Sequence, residues 1–424
     1  MIETRPAPER AYLIGVQLPG TTSKALAEQM RELAELTRTA GGEVAGSDVQ
    51  RRDEVEPALF VGRGKVDEIR GHREDLRLDL VICNEDLSPR QQRNLEKELG
   101  LRVVDRTELI LDIFAQHART REGRLQVEAA QLRHLLPRLV GAYDYHRQMG
   151  GIGTRGGPGE AQIEVERRRI RRRMRDLEQE LAQVRAQRVQ QRAGRQRSDL
   201  PTVAIVGYTN AGKSTLINAL TGAGVLAEDS LFATLDPTTR RLHLPGGRDV
   251  LLTDTVGFIQ KLPTDLVAAF RATLEEVTYA GVVLHVVDAA AEAAQEQART
   301  VDEILAELGA ADKPRVVALN KVDLLGPVTL RRAMRAFSER YAAPVPISAL
   351  RGSGLDALGD AIDAATGDRY VPLEVLIPYG REGMLQELRQ YGGLESVEYR
   401  ERGTYVRGRA PRELAHRFQP YQTD

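Results

Sequence analysis

The stretch TVAIVGYTNAGKSTLINALTG, residues 202–222, constrains the fold more than any other part of the chain. Its apolar, β-branched start, residues 202–206, predicts a buried strand. The following GYTNAGKS matches the pattern G-x-x-x-x-G-K-[ST], and a helical pattern runs on from Thr215. A strand, a glycine-rich loop and a helix in this order are typical of a phosphate-binding loop. The sequence therefore predicts an α/β domain with a nucleotide site.

Each residue type in this loop suits a separate task in phosphate binding. Gly207 and Gly212 allow close approach of the backbone, and the loop N–H groups and the helix N-terminus point at phosphate oxygens. Lys213 supplies a positive charge to the β- and γ-phosphates, and the Ser214 hydroxyl is a hard oxygen ligand for Mg²⁺. The predicted nucleotide-binding residues of the loop are Gly207, Tyr208, Thr209, Asn210, Ala211, Gly212, Lys213, Ser214 and Thr215.

DTVGF follows an apolar strand and begins at Asp254. A carboxylate at a strand end can hold Mg²⁺ through water, and the N–H of Gly257 can bind a γ-phosphate. Between the loop and DTVGF lies LFATLDPTTR, in which Thr234 is the first candidate for contact with Mg²⁺ and the γ-phosphate, and Thr239 is the alternative. The predicted catalytic residues are Lys213, Thr234 and Gly257, and the predicted metal ligands are Ser214, Thr234 and, through water, Asp254.

Two later motifs indicate that the base is guanine. NKVD, with Asn320, Lys321 and Asp323, follows the strand RVVAL. The Asp323 carboxylate can accept hydrogen bonds from the guanine N1–H and exocyclic amine, which adenine does not offer in this arrangement. A second short motif after a strand, predicted to lie behind the base, consists of Ser348, Ala349 and Leu350.

Phe258 stands after DTVG, where many regulatory GTPases carry a glutamine that orients the attacking water. A phenyl ring cannot orient water by hydrogen bonding. The sequence therefore predicts a GTPase that converts GTP and water to GDP and phosphate slowly by itself. A partner, a cation or another residue must complete the site.

The composition excludes several classes of protein. The chain has 424 residues, enough for two to four domains, and its 60 basic and 61 acidic residues leave no global charge that indicates nucleic acid. Its one cysteine, Cys83, lies in an apolar run and is predicted to be a buried core residue. No signal peptide and no membrane span are predicted, so we expect a cytoplasmic protein. We also expect a monomer.

The region before the loop divides into two predicted segments. Residues 11–105 alternate strand and helix patterns, as in a small α/β domain with a mostly parallel sheet. Within it, residues 60–69, FVGRGKVDEI, have a Gly-Arg-Gly at a helix start. Two interpretations stay open there, namely a structural turn and an anion site for a second nucleotide such as ATP.

From Arg106 the pattern turns helical. Apolar residues with heptad-like spacing occur along residues 160–197, and the partner predicted for this helix is the one around residues 125–139, in an antiparallel hairpin. From residue 164 to 197 twelve arginines stand against five acidic residues. That excess favours contact with RNA over a merely solvated face. The predicted RNA contacts are Arg168, Arg172, Arg175 and, in the glycine-rich loop at residues 148–160, Arg155.

Residues after 367 show a βαββα pattern, typical of a small α+β domain. The predicted fold class is thus α/β. A P-loop GTPase domain is preceded by a small parallel α/β domain with a long helical hairpin and followed by a small α+β domain. The predicted boundaries are 1–120 for the N-terminal domain, 121–199 for the hairpin, 200–367 for the GTPase domain and 368–424 for the C-terminal domain.

These motifs together resemble the HflX family of GTPases. The resemblance rests on DRTELILDIFAQHARTREGRLQVEAAQLRHLLPRLVG, GGIGTRGGPGE, the arginine-rich helix, GYTNAGKST, LFATLDPTTR and DTVGFIQKLP, and it is strongest from Val104 to Leu262. The resemblance implies a cytoplasmic GTPase that binds the large ribosomal subunit and its RNA, with Mg²⁺ as cofactor. It also implies that the ribosome stimulates hydrolysis and that stalled ribosomes are split or rescued. The alternative function is a GTP-dependent RNA-processing or ribosome-assembly factor without splitting activity.

Overall fold

The computed structural model describes residues 7–149, 158–196, 200–222, 231–232, 238–260, 271–366, 370–391 and 393–422. The chain divides into two compact units. The first consists of Met1–Val184, Ser230–Leu235 and Gln260–Phe270, and the second of Arg185–Asp229, Asp236–Ile259 and Arg271–Asp424. Two short segments that lie far along the chain therefore belong to the N-terminal unit.

The first unit opens with alternating strands and helices. The strands are β1 (Arg10–Gln17), β2 (Glu43–Arg51), β3 (Leu80–Cys83) and β4 (Arg102–Val104). The helices are α1 (Ser23–Thr39), α2 (Arg63–Asp75), α3 (Pro89–Leu99) and α4 (Arg106–His117). All neighbouring strands run parallel in the order β2-β1-β3-β4, which confirms the predicted parallel α/β fold.

The core around this sheet consists mainly of aliphatic side chains, with Tyr12 and Phe60 among them, and β3 is buried along its whole length. Cys83, at the end of β3, is 0% exposed, and burial raises the pKa of its thiol. Asp105 begins α4, because its carboxylate accepts the Glu108 N–H at 2.9 Å. The carboxyl edge of the sheet thus passes directly into a capped helix.

Two long helices follow, α5 (Arg121–Met149) and α6 (Pro158–Gln196). Leu125 and Ala129 of α5 pack against Leu177 and Leu181 of α6 in one buried cluster. Ion pairs flank this cluster, joining Arg121 to Glu180 and Glu128 to Arg173, so the two helices run antiparallel. The predicted helical hairpin and part of its heptad seam are therefore present.

The second unit contains a six-stranded sheet. Its strands are β5 (Thr202–Gly207), β6 (Thr239–His243), β7 (Asp249–Asp254), β8 (Val282–Asp288), β9 (Arg315–Asn320) and β10 (Val345–Pro346). The order is β10-β9-β8-β5-β7-β6, and only the edge strand β6 runs antiparallel to its neighbour. The helices are α7 (Lys213–Thr221), α8 (Arg271–Tyr279), α9 (Ala294–Glu307), α10 (Pro327–Ser338) and α11 (Leu355–Thr366).

The chain ends in a small antiparallel sheet of order β11-β13-β12. It consists of β11 (Tyr370–Ile377), α12 (Glu382–Tyr391), β12 (Gly393–Arg400), β13 (Gly403–Pro411) and α13 (Arg412–Phe418). This is the predicted βαββα order, and its core includes Val375, Val406 and Phe418. Among the described residues, every helix is too short or too polar to cross a membrane.

Candidate nucleotide-binding site

The glycine-rich loop connects β5 to α7 at the carboxyl edge of the six-stranded sheet. Gly212 has φ +90°, and a Cβ there would clash with the Asn320 amide, so glycine is required. A Cβ at Gly207 would clash with the carbonyl of Val286 on the neighbouring strand. Asn210 also has a positive φ of 58°. Such backbone conformations concentrate at ligand sites, as expected for a loop that turns its N–H groups inward.

Lys213 is buried at the start of α7, where its ammonium group donates to the carbonyls of Gly207 at 3.1 Å and Tyr208 at 2.8 Å. An ammonium has three N–H donors, so a third can serve a phosphate oxygen. Burial lowers the pKa of Lys213 to about 8, and the Asp254 carboxylate opposes this shift. The side chain is thus a desolvated cation that a phosphate would stabilise.

The backbone of the DTVGF segment forms hydrogen bonds with the glycine-rich loop. Phe258 donates its N–H to the Gly207 carbonyl at 3.1 Å, and its own carbonyl accepts the Thr209 N–H at 2.7 Å. A Cβ at Gly257 would lie 2.8 Å from Thr209 Cγ2 and 3.1 Å from Lys213 Nζ, so only glycine fits this approach. The Phe258 ring is 1% exposed. It therefore belongs to the core, and its backbone joins the two parts of the site.

Asp254 is 1% exposed at the end of β7, where its carboxylate accepts the Thr255 N–H at 3.0 Å. Ser214 lies at the second position of α7. Thr234, the first choice for the nucleotide-responsive threonine, lies outside the described residues. Thr239 begins β6, and its hydroxyl is 3.2 Å from that of Thr253. A serine hydroxyl and a carboxylate at the edge of one sheet are hard oxygen donors of the kind that Mg²⁺ prefers.

The NKVD motif follows β9 and is tied to the glycine-rich loop. Asn320 is 2% exposed, donates its amide to the Ala211 carbonyl at 2.9 Å and accepts the Ala349 N–H at 2.9 Å. Asn320 therefore joins the glycine-rich loop to the second predicted base motif, residues 348–350. Lys321 has a positive φ of 62°, and its ammonium pairs with Asp288 Oδ2 at 2.8 Å.

Asp323 meets the second motif directly. The buried Ser348 donates its hydroxyl to Asp323 Oδ1 at 2.6 Å. That hydrogen bond, together with the charges of Arg351 and Lys321, lowers the pKa of the Asp323 carboxyl group. An ionised carboxylate held by a hydroxyl is suited to accept two N–H groups of a base. The structure thus brings the two predicted guanine motifs together, although Leu350 is 80% exposed.

Two charged residues that none of the sequence motifs indicated lie at this end of the site. Arg351 Nε lies 3.6 Å from Asp323 Oδ2, and Asp288 pairs with Lys321. Asp288 is the last residue of the buried strand β8, just as Asp254 is the last residue of β7. The same criterion of a carboxylate at a strand end would have identified it.

The Gly-Arg-Gly segment of the first unit is engaged within that unit. The Gly62 N–H, at the start of α2, donates to Gln50 Oε1 at 2.7 Å. Lys65 pairs with Asp48 at 3.1 Å and with Glu68 at 2.7 Å. With these contacts the segment has the features of a structural turn beside β2.

Three of the four predicted RNA contacts lie on α6. Arg168, Arg172 and Arg175 are exposed, whereas Arg173 on the same helix pairs with Glu128 at 2.7 Å. The arginine-rich helix thus uses at least one arginine to hold the hairpin and presents others to solvent. Arg155 lies outside the described residues.

Comparisons with known proteins cover nearly the whole chain. A family model described as "GTP-binding GTPase N-terminal" matches residues 27–115, "GTP-binding GTPase Middle Region" matches residues 117–195, and "50S ribosome-binding GTPase" matches residues 202–321. A solved GTP-binding protein from Sulfolobus solfataricus in complex with GDP is 27% identical, with 85% of this chain and 99% of that chain covered and a TM-score of 0.46.

Two relatives have the same family name. GTPase HflX from Caldanaerobacter subterraneus subsp. tengcongensis is 45% identical over 97% of this chain and 94% of its own length. GTPase HflX from Escherichia coli is 45% identical over 94% of this chain and 92% of its own length. Identity at this level along the whole length of both chains leaves no large part unmatched. The chain belongs to the HflX family of GTPases, with a P-loop domain that binds guanine nucleotide.

Proposed function

We propose that this protein is a GTP-dependent switch that binds the large ribosomal subunit and splits or rescues stalled ribosomes. The observation that carries the proposal is family membership over the whole chain, together with the match of residues 202–321 to the model described as "50S ribosome-binding GTPase". A cytoplasmic location follows from this partner, and one copy of the chain carries a full set of nucleotide motifs. We therefore infer that it acts as a monomer.

In this proposal the phosphates lie on the glycine-rich loop, residues 207–215, with Lys213 between the β- and γ-phosphates. The pair of carbonyls that hold its ammonium supports this role, because they fix its direction. The base lies against residues 320–323 and 348–350. The Asp323 carboxylate, fixed by Ser348, selects guanine.

Mg²⁺ would be held by the Ser214 hydroxyl, by Thr234 and, through water, by Asp254. The Asp254 carboxylate supports this assignment, since it is a hard oxygen donor at the end of β7, beside the strand β5 that leads into the glycine-rich loop. When bound, the ion would neutralise charge on the phosphates. The residues of the chain then act as a switch: the Gly257 N–H and Thr234 contact the γ-phosphate, and both contacts end on hydrolysis.

The ribosome-directed surface is proposed to be the helical hairpin, residues 121–199. Exposed arginines on α6, Arg168, Arg172 and Arg175, are suited to RNA phosphates because guanidinium groups bind them in a bidentate manner. Arg155 is assigned to the same surface. We treat residues 1–120, 121–199, 200–367 and 368–424 as the four functional segments, of which the third turns over GTP and the second contacts RNA.

The proposal is tested by co-sedimentation with purified ribosomal subunits in the presence of GDP or a non-hydrolysable GTP analogue. We expect binding to the large subunit with the analogue and weaker binding with GDP. Steady-state hydrolysis is measured in parallel, with and without the large subunit. Slow turnover alone and faster turnover with the subunit support the switch, whereas equal binding of both nucleotide forms contradicts it.

A further inference from the structure

One buried hydroxyl of the glycine-rich loop lacks a partner. Thr209 is 6% exposed, and its Oγ1 atom forms no hydrogen bond within the described ranges of the chain. The nearby Thr255 shows the usual arrangement of a buried threonine, since its hydroxyl donates to the Ile205 carbonyl at 2.6 Å. A hydroxyl that is buried without a partner is unfavourable and needs an explanation. The described part of the chain thus leaves the Thr209 hydroxyl for another partner.

The backbone of Thr209 is held against the DTVGF segment. Its N–H donates to the Phe258 carbonyl at 2.7 Å. The preceding carbonyl, that of Tyr208, accepts the Lys213 ammonium at 2.8 Å. All four residues belong to the second compact unit. Because the backbone is held in this way, the position of the hydroxyl depends on rotation about the Cα–Cβ bond of Thr209.

The Thr209 side chain lies beside the groups that we assign to the γ-phosphate. A Cβ at Gly257 would lie 2.8 Å from Thr209 Cγ2 and 3.1 Å from Lys213 Nζ, so the methyl group and the ammonium group both lie next to Gly257. A threonine carries its methyl and hydroxyl groups on the same carbon, in staggered positions about 120° apart. One step of rotation therefore brings the hydroxyl to the place of the methyl group, next to Gly257.

We propose that the Thr209 hydroxyl turns toward Gly257 when GTP binds and donates a hydrogen bond to a γ-phosphate oxygen. The inference rests on the proposed function of the GTPase site. A hydroxyl that donates to an anionic oxygen forms a short, charge-assisted hydrogen bond, which gives the buried hydroxyl a partner. GDP has no γ-phosphate, so this bond contributes to the affinity for GTP and not to the affinity for GDP.

The test compares the full chain with its Thr209→Val variant, which keeps the branched shape and removes the hydroxyl. The Kd values of a non-hydrolysable GTP analogue and of GDP are measured, together with kcat/KM for GTP and the melting temperature. We expect analogue affinity and kcat/KM to fall about tenfold, the effect of losing one hydrogen bond to a charged group. GDP affinity should stay at the parent value. The melting temperature should not fall, because no described residue pairs with the lost hydroxyl.

Two further comparisons separate the hydroxyl from the shape of the loop. Thr209→Ser and Thr209→Ala both lack the methyl group and differ only in the hydroxyl, so the serine variant should bind the analogue about tenfold more tightly than the alanine variant. The matched control is Thr366→Val on α11, where the removed hydroxyl donates to the Ile362 carbonyl at 3.0 Å. This control should melt at a lower temperature and keep the nucleotide affinities of the parent protein.

A Thr209→Val variant with the analogue affinity of the parent protein would overturn the proposal, and so would equal analogue affinities of the serine and alanine variants. Equal losses of analogue and GDP affinity would also contradict it, because Thr209 would then only shape the loop. If the parent protein hydrolyses GTP in the same assays, these results leave the proposed function intact. If the parent protein and the Thr366→Val control hydrolyse no GTP, with or without the large ribosomal subunit, the proposed function itself fails.

Discussion

Ser348 donates its hydroxyl to Asp323 Oδ1 at 2.6 Å, and this bond restrains the carboxylate that we assign to the base. A carboxylate accepts two N–H groups, whereas an amide presents one acceptor and one donor. Guanine offers two donors along this edge, and xanthine offers one donor and one carbonyl. In the proposed guanine site, the nucleotide preference therefore depends on the two carboxylate oxygens of Asp323.

Asp323→Asn should shift the preference from GTP toward xanthosine triphosphate. Loss of one of two base contacts costs about 1–3 kcal/mol, so we expect GTP affinity to fall roughly tens-fold. The measurement is a titration with both fluorescent nucleotides. Asp356→Asn, at an exposed position of α11, serves as the control. Unchanged GTP affinity in the Asp323 variant would remove this residue from the guanine site.

Lys213 should make nucleotide affinity depend on pH. In the free protein its pKa is lowered to about 8 by burial, and phosphate charge raises it again on binding. Above about pH 8 the free protein must take up a proton to bind, so GTP affinity should weaken by up to about tenfold per pH unit. Below that value the affinity should be constant.

The measurement is the Kd of GTP between about pH 7 and pH 9, with the Lys213→Arg variant alongside. Arginine stays protonated over this range, so the variant binds more weakly but without the slope. Deprotonation of guanine affects both proteins equally and cancels in the comparison. Identical slopes would show that Lys213 does not titrate near pH 8.

Replacing Arg168, Arg172 and Arg175 with alanine should weaken ribosome binding and its salt dependence. Each phosphate contact contributes about 0.7–0.9 to the slope of log affinity against log salt, so three lost contacts reduce the slope by about 2–3. Nucleotide affinity should not change, since these arginines lie on α6. The matched control replaces three exposed arginines of α10, Arg331, Arg332 and Arg335. Equal losses in both triple variants would mean that only net charge matters.

His285 should make the fold sensitive to acid. Its ring is 1% exposed in β8, and neither ring nitrogen has a hydrogen-bond partner among the residues that the structure describes. Burial lowers its pKa to about 3, against a partly opposing charge from Asp302. The unfolded chain binds a proton near pH 6.5 and the folded chain does not, so stability falls by about 1.4 kcal/mol per pH unit between about pH 6.5 and pH 3.

His285→Leu keeps a similar volume and removes the titrating ring. Urea unfolding between about pH 7 and pH 5 should show a shallower loss of stability in this variant. His243→Leu is the control, because that side chain is 72% exposed. If the parent protein and the His285 variant lose stability in parallel, the buried ring is not the source of the acid sensitivity.

The nucleotide motifs could be read from the sequence because their chemistry fixes both residue type and spacing. Gly207 and Asn320 end buried apolar strands, Lys213 and Asp323 come soon after them, and the parallel sheet brings those strand ends to one edge. The hairpin could be predicted from heptad spacing for a similar reason, since Leu177 and Leu181 face one side of a helix. In both cases the pattern is local.

The backbone contacts of Phe258 and the contact of Arg106 with Gln260 could not be predicted in this way. The sequence distinguishes Phe258 only by the glutamine that is absent there, whereas the observed contacts of Phe258 use main-chain atoms, which every residue carries. Arg106 and Gln260 are separated by 154 positions, and no periodicity connects them. Such contacts depend on how segments meet in space, and the sequence holds no repeat or spacing that records this.

Cys83 is the only cysteine of the chain and is the last residue of β3. With its sulfur fully enclosed and its thiol pKa raised, a thiol reagent can reach it only when the N-terminal sheet opens. The rate at which an alkylating agent modifies Cys83 in the native protein therefore reports how often that sheet opens. Because α4 packs beside the same strand, Cys83 should be alkylated faster in any variant that loosens α4.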